Sequence, residues 1–513
     1  MMSQFPVQLD PTRAGFLPPS LPAEIESNAL RPDTIQGYVS VTSQGNESLF
    51  DMRRDTWPTT AEPYHATTRN HNEARRALES MGFEIIAESR IGAAVAGPPG
   101  AYEELTGGRV VARERLLHSS AGHQRYVTHI DIVGEGQPSA CGHGNVQNPS
   151  TRVEGVLIER PFQYHGIFPT PIPPRIDRFH LRVPDDVALG LGAIAAHRQG
   201  WQGDGVVVAM VDSGQYAHPF FAAHHYSVRP TVTIVPGTSP TKDPVGHGTG
   251  ESANIFAAAP GCVLQPYRAS DNRGRLVGAI GGFLRVKAGR PAILSNSWGG
   301  DGRFPPVGPP DAFEIAWAIE ILDAIEQGIF VIFSAGNGQF SIEPQVPGVL
   351  SAGGVFMTSG LDLQASNYTS GYQSPWFQGI TVPDVCGLVG MLPRAQYIML
   401  PIPPVSEIDV SESQSTPFDP YNDGTTSSDG WALFSGTSAA APQIAGVVAL
   451  MLGAKPELNP LQITQALRST AIDVTSGHCH PRFNNAAIPG HDPATGNGLV
   501  DAAAAVRFVL DNF

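Results

Sequence analysis

Residues 205–214 read GVVVAMVDSG, six apolar side chains in succession that end on a carboxylate, Asp212. A strand with one wet face alternates polar and apolar residues. An unbroken apolar run between turn residues belongs instead to a strand covered on both faces, as in a parallel sheet flanked by helices. AILSNS (292–297) and GIFVIFSAG (328–336) repeat the pattern, and helical stretches separate the three runs. In such sheets ligands gather outside the carboxyl ends of the strands, where Asp212 and, after the third run, Asn337 fall. Residues 188–513 are therefore expected to form an α/β domain on a parallel sheet.

Moving outward, the chain has 513 residues, too many for one ordinary domain, which predicts an accessory region ahead of the sheet. With 15% charged and 41% hydrophobic residues it has the composition of a compact globule, and 56 glycines and 46 prolines predict many tight turns. A net charge of −15 argues against nucleic acid or an anionic membrane as partner. No apolar run reaches the roughly 20 residues that span a bilayer. The start, MMSQFPVQLDPTRAGF, lacks the apolar stretch of a secretory signal, so a cytoplasmic location is expected. Cys141, Cys262, Cys386 and Cys479 are scattered without C-x-x-C spacing and are expected to be reduced, with neither a disulfide framework nor a zinc ribbon.

Residues 1–63, rich in proline and polar residues, read as an extended arm. Between 64 and 117, Ala74, Ala77, Leu78 and Met81 fall at helical spacing and Gly82 is placed to stop that helix. FEIIAES and GAAVAGP then read as strands, AYEELT as a short helix and RVVARERL as a last strand, giving a small α/β unit in the order α-β-β-α-β. Residues 118–187, with CGHGN and the proline-rich PTPIPPRI, read as an irregular connection.

Four fragments carry candidate chemistry, and each has a plain structural alternative. Asp212, before Ser-Gly, also suits an Asx turn. In GHGTGESANIFAAAPG (246–261), His247 stands among small residues that leave room for a ligand at its ring; the alternative is a structural histidine in a glycine-rich turn. In FSGTSAAAPQIAGVVALML (434–452), Ser438 opens a helix that is apolar on all sides and therefore buried, with Pro442 expected in its first turn. That hydroxyl can serve as a simple N-cap, but Gly436, Ala439, Ala440 and Ala441 leave space around it that a cap does not require. Asn337, in GIFVIFSAGNG (328–338), either presents an amide to a developing oxyanion or fills a left-handed turn.

Taken together, these fragments resemble the subtilisin-like serine peptidases, the subtilase family, whose triad occurs in the chain order Asp, His, Ser. V-D-S-G with His-Pro four residues after the Gly, then H-G-T, S-W-G, S-A-G-N and G-T-S-x-A-x-P stand here in the family's order. GAIAAHRQGWQGDGVVVAMVDSG (192–214) resembles its entry into the first core strand, and GNGLVDAAAAV (496–506) its C-terminal helix. The resemblance implies a subtilisin-like parallel-sheet peptidase domain and a serine endopeptidase acting on peptides or proteins. It implies a triad of Asp212, His247 and Ser438, an oxyanion donor in Asn337, and a strand of Ser297, Trp298 and Gly299 that pairs with substrate backbone. No cofactor is required; calcium is frequent in the family, but no D-x-D-x-D-G loop is visible. Residues 64–117 look like the family's inhibitory propeptide, so the N-terminal region is expected to act as an intramolecular inhibitor, with a cut between about 118 and 190; the alternative is an unrelated accessory domain. A peptide ligase or macrocyclase would use the same triad while excluding water from the acyl-enzyme. A silent peptide-binding scaffold would be expected to have lost one of the four residues, and none is missing.

The sequence departs from the family pattern in two places, and two further segments stand out. After His247-Gly248-Thr249 the usual Ala-Gly pair is replaced by Gly250, Glu251, Ser252 and Ala253. Glu251, one helical turn from His247, either acts on the imidazolium or on a basic substrate group, or is a solvated surface residue. Gln443 stands where many relatives have histidine. SEIDVSESQSTPFDPYNDGTTSSDG (406–430) holds Asp and Glu but no Lys or Arg and reads as a solvated loop, with a flap selecting basic peptides or a calcium loop as alternatives. HCH (478–480) has no partner at metal-ligand spacing.

Overall fold

The apolar run at 206–211 becomes the strand Val207–Asp212, parallel to Val263–Arg268 on one side and to Ile293–Asn296 on the other. This is seen in a computed structural model that describes residues 24–26, 31–45, 47–50, 58–118, 124–134, 142–146, 148–164, 179–306, 308–393, 395–413 and 423–513. Phe330–Ser334 and Leu350–Met357 extend the sheet in parallel, and Val385–Leu388 (parallel) and Leu363–Ala365 (antiparallel) pair with Leu350–Met357. From Val207–Asp212 the chain builds first to one side and then to the other, so the strand order reverses there, the position outside whose carboxyl end ligands gather in sheets of this kind.

The two-residue period explains why this strand is apolar throughout. Val208 and Met210 join the core shared with helices His247–Ala258 and Thr437–Ala454, while Ala209 and Val211 join the core under Ala279–Gly289 and Ala312–Glu326. Thr437–Ala454 is long and apolar enough to cross a membrane by length and composition, yet it packs against the sheet, the His247 helix and the last helix, Ala502–Asn512. Pro442 is not in its first turn as expected: it is the sixth residue, inside the helix.

Helix Thr68–Ser80, strands Glu84–Glu88 and Gly92–Gly97, helix Pro99–Thr106 and strand Arg109–His118 follow the expected order. Their sheet, however, draws on residues outside 64–117. It runs Glu84–Glu88, Gly92–Gly97, Ile35–Val41, Val153–Ile158, His143–Asn145, each neighbouring pair antiparallel. The central strand thus comes from the segment expected to be an extended arm, and two more from the segment expected to be an irregular connection. In IQGYVSV the alternation is present, but Gly37 and Ser40 blunt it and the prolines around it read as loop. Arg109–His118 lies outside this sheet and pairs with Gln124–Val133.

One face of the N-terminal sheet, with Ile35, Val39 and Val95, is covered by its own helices through Leu78, Tyr102 and Leu105. The other face lays Tyr38, Ala94 and Leu157 on helices Ala279–Gly289 and Ala312–Glu326. Across that contact Glu320 accepts from the Tyr38 hydroxyl (2.6 Å), the Ser89 hydroxyl (2.7 Å) and Lys287, and Asp323 pairs with Arg90 and with Lys287 (2.8 Å).

Candidate active site

Asp212 and His247 meet because two segments are pulled together by polar side chains beside them. Asp212 Oδ1 accepts from His247 Nδ1 at 2.8 Å and from the Ser213 backbone N–H at 2.7 Å, all inside the protein. The Ser213 hydroxyl donates to Asp243 and accepts from the Gly248 N–H. Asp243 in turn accepts from the N–H groups of Gly246 and Thr249 and from the Thr249 hydroxyl, holding the first turn of the His247 helix, where unpaired donors collect. The approach also needs Gly248, since a Cβ there would lie 2.4 Å from the Gly214 carbonyl oxygen. Burial works against a charged ring, but the Asp212 carboxylate outweighs it, and the His247 pKa is raised to about 9.

Ser438 is the second residue of the Thr437–Ala454 helix, fully buried, and its hydroxyl donates to the Ser297 carbonyl at 3.0 Å. The Ser297 hydroxyl donates back to the Ser438 carbonyl at 2.9 Å. That carbonyl would ordinarily bond the N–H four residues on, which is Pro442 and has none, so Ser297 satisfies the group that the interior proline leaves open. Asn337, past the strand Phe330–Ser334, accepts through Oδ1 from the Thr437 N–H (2.9 Å) and hydroxyl (3.0 Å). Because a backbone N–H can only donate, this fixes which end of the amide is oxygen; the buried Nδ2 has no hydrogen-bond partner.

Ser297 leads into the short strand Trp298–Gly299, whose backbone pairs antiparallel with Gln163–Tyr164 from the N-terminal region. The indole of Trp298 is core: its N–H donates to the Val211 carbonyl at 2.7 Å. Phe162, immediately before the paired residues, is buried with its ring 5.1 Å from Trp298 and 5.5 Å from Trp317.

All seven residues singled out from the sequence therefore lie along one side of the parallel sheet or in the segments tied to it. Asp243 and Thr437 were missed; an aspartate four residues before His247 and a threonine before Ser438 were visible, but nothing local to them indicates chemistry. Glu251 is not a solvated surface residue: it is fully buried, because the helix that carries it is enclosed on every side. The acidic segment is also less exposed than expected where it is described. Asp409, Glu412 and Asp423 are buried, Asp409 accepting from the Val405 N–H and Asp423 from that of Leu433; residues 414–422 lie outside the described residues. In HCH, His480 Nδ1 accepts from the Arg482 N–H and Cys479 is buried among apolar residues. Among the described residues the cluster closest to a metal site is His65, Asp323 and Glu326, where Arg90 and Lys287 already supply the positive charge. Cys262, Cys386 and Cys479 are free thiols, while Cys141 lies outside the described residues.

Residues 203–498, more than half of the chain, match the family model described as Subtilase family. The chain belongs to the subtilase family. Fervidolysin from Fervidobacterium pennivorans is 25% identical to this subtilase over 399 residues, a match covering 68% of this chain and 50% of fervidolysin. Subtilisin BL from Lederbergia lenta is 25% identical over 326 residues, covering 61% of this chain and 96% of subtilisin BL. The crystal structure of fervidolysin, described as a keratinolytic enzyme related to subtilisin, aligns with a TM-score of 0.52 at 18% identity, over 92% of this subtilase and 61% of fervidolysin. The likeness in fold thus reaches beyond the residues of the family model into the N-terminal region. This subtilase spans about half the length of fervidolysin in the sequence match.

Proposed function

We propose that the chain is a serine endopeptidase in which Asp212, His247 and Ser438 form the triad and Asn337 donates to the oxyanion. The observation that carries this is the Asn337 amide. A buried donor without a partner is costly, and this one is held in place by the residue adjoining Ser438, as a donor reserved for a transient charge must be. For the reaction Ser438 Oγ gives up its Ser297 carbonyl partner for the imidazole of His247, then attacks the scissile carbonyl carbon. His247 takes the hydroxyl proton at Nε2 and delivers it to the leaving amine, while Asp212 keeps the other proton on Nδ1. Water then attacks the acyl-enzyme by the same route in reverse. Ser438→Ala should abolish labelling by a fluorophosphonate with an unchanged circular dichroism spectrum; labelling that survives would refute the triad.

The pairing of Gln163–Tyr164 with Trp298–Gly299 supports the N-terminal region as an intramolecular inhibitor lying where substrate backbone would lie. In this register the chain advances from Gly299 toward Ser297, and so toward Ser438, which favours a first cut in the segment after Tyr164. Intact mass of wild type against Ser438→Ala, followed over time, tests this. A wild-type protein that stays full length while fully active would overturn it.

A further inference from the structure

We propose that Glu251 is a positioning residue for His247, a second carboxyl placed at the ring nitrogen that Asp212 does not hold, which confines the triad to alkaline solution. The proposal rests on the triad put forward above. His247 and Glu251 are four residues apart on one helix, and Glu251 Oε1 lies 4.0 Å from His247 Nε2, the nitrogen that must receive the Ser438 proton. Glu251 is fully buried. Its Oε2 accepts from Asn254 Nδ2 at 2.9 Å, whereas Oε1 has no hydrogen-bond partner. A buried glutamate kept only for packing would be expected to have both oxygens satisfied.

The carboxyl is also prevented from swinging away. Gln443 Nε2 reaches Asn254 Oδ1 at 3.3 Å, and Gln443 is itself fixed by the Leu388 backbone, its Oε1 accepting from the N–H at 2.7 Å and its Nε2 donating to the carbonyl at 2.9 Å. The two departures from the family pattern, Glu251 and Gln443, are thus the two ends of one hydrogen-bonded chain, with Asn254 between them.

The charges that bear on this pair come from few places. Asp212 ends the neighbouring strand and Asp243 lies in the loop before the helix. The Tyr368 phenol is near Glu251, with burial keeping it protonated. Facing the helix, Thr437–Ala454 contributes Ser438 and Gln443, and Ile398–Pro401 contributes apolar side chains only. Helix Asp185–Gly190 packs through Val187 and Ala188, with Asp185 exposed and Asp186 paired to Arg182.

Three carboxyl groups around one imidazole in a dry site favour keeping a proton on the ring. Burial raises Glu251 to about 8, and Asp212, with help from Glu251, takes His247 to about 9 against the burial penalty. General-base action needs the neutral ring, so activity appears only as pH rises through that range. Glu251→Gln keeps the shape and the bond from Asn254 but removes the charge. The acid limb of kcat/KM should then move about one unit toward lower pH, roughly a tenfold gain below the limb. The alkaline plateau should fall, since the imidazolium of the transition state loses a counter-charge.

The experiment is the pH profile of kcat/KM on a peptide nitroanilide without ionisable side chains, for wild type, Glu251→Gln and Glu251→Ala, with fluorophosphonate labelling of wild type and Ser438→Ala alongside. A limb displaced to lower pH in both Glu251 variants supports the proposal, and a gain of activity near neutrality is not something a loosened fold produces. If labelling depends on Ser438 but both limbs coincide with that of wild type, the proposal for Glu251 is overturned while the triad stands. If labelling does not depend on Ser438, the triad itself fails.

Discussion

The Ser438 carbonyl loses its helical partner because Pro442, four residues on, has no N–H, and the Ser297 hydroxyl takes its place. One side chain therefore joins the strand that would carry substrate backbone to the helix that carries the proposed nucleophile. Ser297→Ala leaves a buried carbonyl without a donor and should cost about 1–3 kcal/mol in urea unfolding, with a fall in turnover as the first turn of the helix loosens. Asn337 acts differently, since its carbonyl end is anchored on Thr437 and only its N–H₂ end is free. On the proposed role, Asn337→Ala should lower kcat by about 10²–10³ with little change in KM, the size of effect seen when one oxyanion donor is removed from a serine peptidase. A loss confined to KM would make Asn337 a binding residue.

At the scale of elements, the helix Glu407–Ser413 grips the loop in front of His247: the N–H groups of Glu407 and Ile408 donate to the carbonyls of Pro244 and Val245. Two of its carboxylates, Asp409 and Glu412, are buried, Asp409 accepting from the Val405 N–H, while Glu407 is exposed. Asp423→Ala, which strips the acceptor from the Leu433 and Thr425 N–H groups, should cost about 1–3 kcal/mol. The ratio of kcat/KM between Lys/Arg-rich and neutral peptides should stay unchanged in that variant.

The limits of the sequence show at the same scale. The three buried strands were legible because an unbroken apolar run has few other uses; Asp212, Ser297 and Asn337 stood out at the ends of those runs, and His247 and Ser438 among the small residues that open two buried helices. Ile35–Val41 was not legible: its alternation is broken by Gly37 and Ser40, and the partners that make it a central strand, Gly92–Gly97 and Val153–Ile158, lie far away in the chain. The inward turn of Glu251, Asp409 and Asp423 was likewise hidden, because local charge cannot reveal which side of an element is enclosed.

For the molecule as a whole, the contact between the N-terminal sheet and the helices Ala279–Gly289 and Ala312–Glu326 depends on a buried set of charges. Lys287→Ala would leave Glu320 and Asp323 without their shared cation and should destabilise the fold by about 3–5 kcal/mol, read from the urea midpoint. Burial pushes the Asp323 carboxyl upward, but Lys287 and Arg90 outweigh it and hold it below its ordinary value. A depressed carboxyl stabilises fully above its unfolded pKa, about 4, and the gain is lost as pH falls through the lower folded value. The protection factors of the amides in Val153–Ile158, exchange rates taken relative to the intrinsic rate at each pH, should therefore fall in acid, and Asp323→Asn should remove that dependence.

Phe162, wedged among Trp298, Trp317 and Phe313, has a consequence for where the chain would cut itself. If the proposed self-cleavage takes place, that ring gives it a fixed origin, and the residue delivered to Ser438 would be chosen by counting along the backbone, as a ruler chooses a length, and not by the side chain found there. A single glycine inserted between Phe162 and Gln163 should shift the cut one residue toward the N-terminus in the original numbering, whereas a side-chain reader would keep cutting at the same residue. N-terminal sequencing of the two products distinguishes them. On that account the site of self-cleavage is written in a distance, so substitutions within the cut segment should be tolerated where insertions are not.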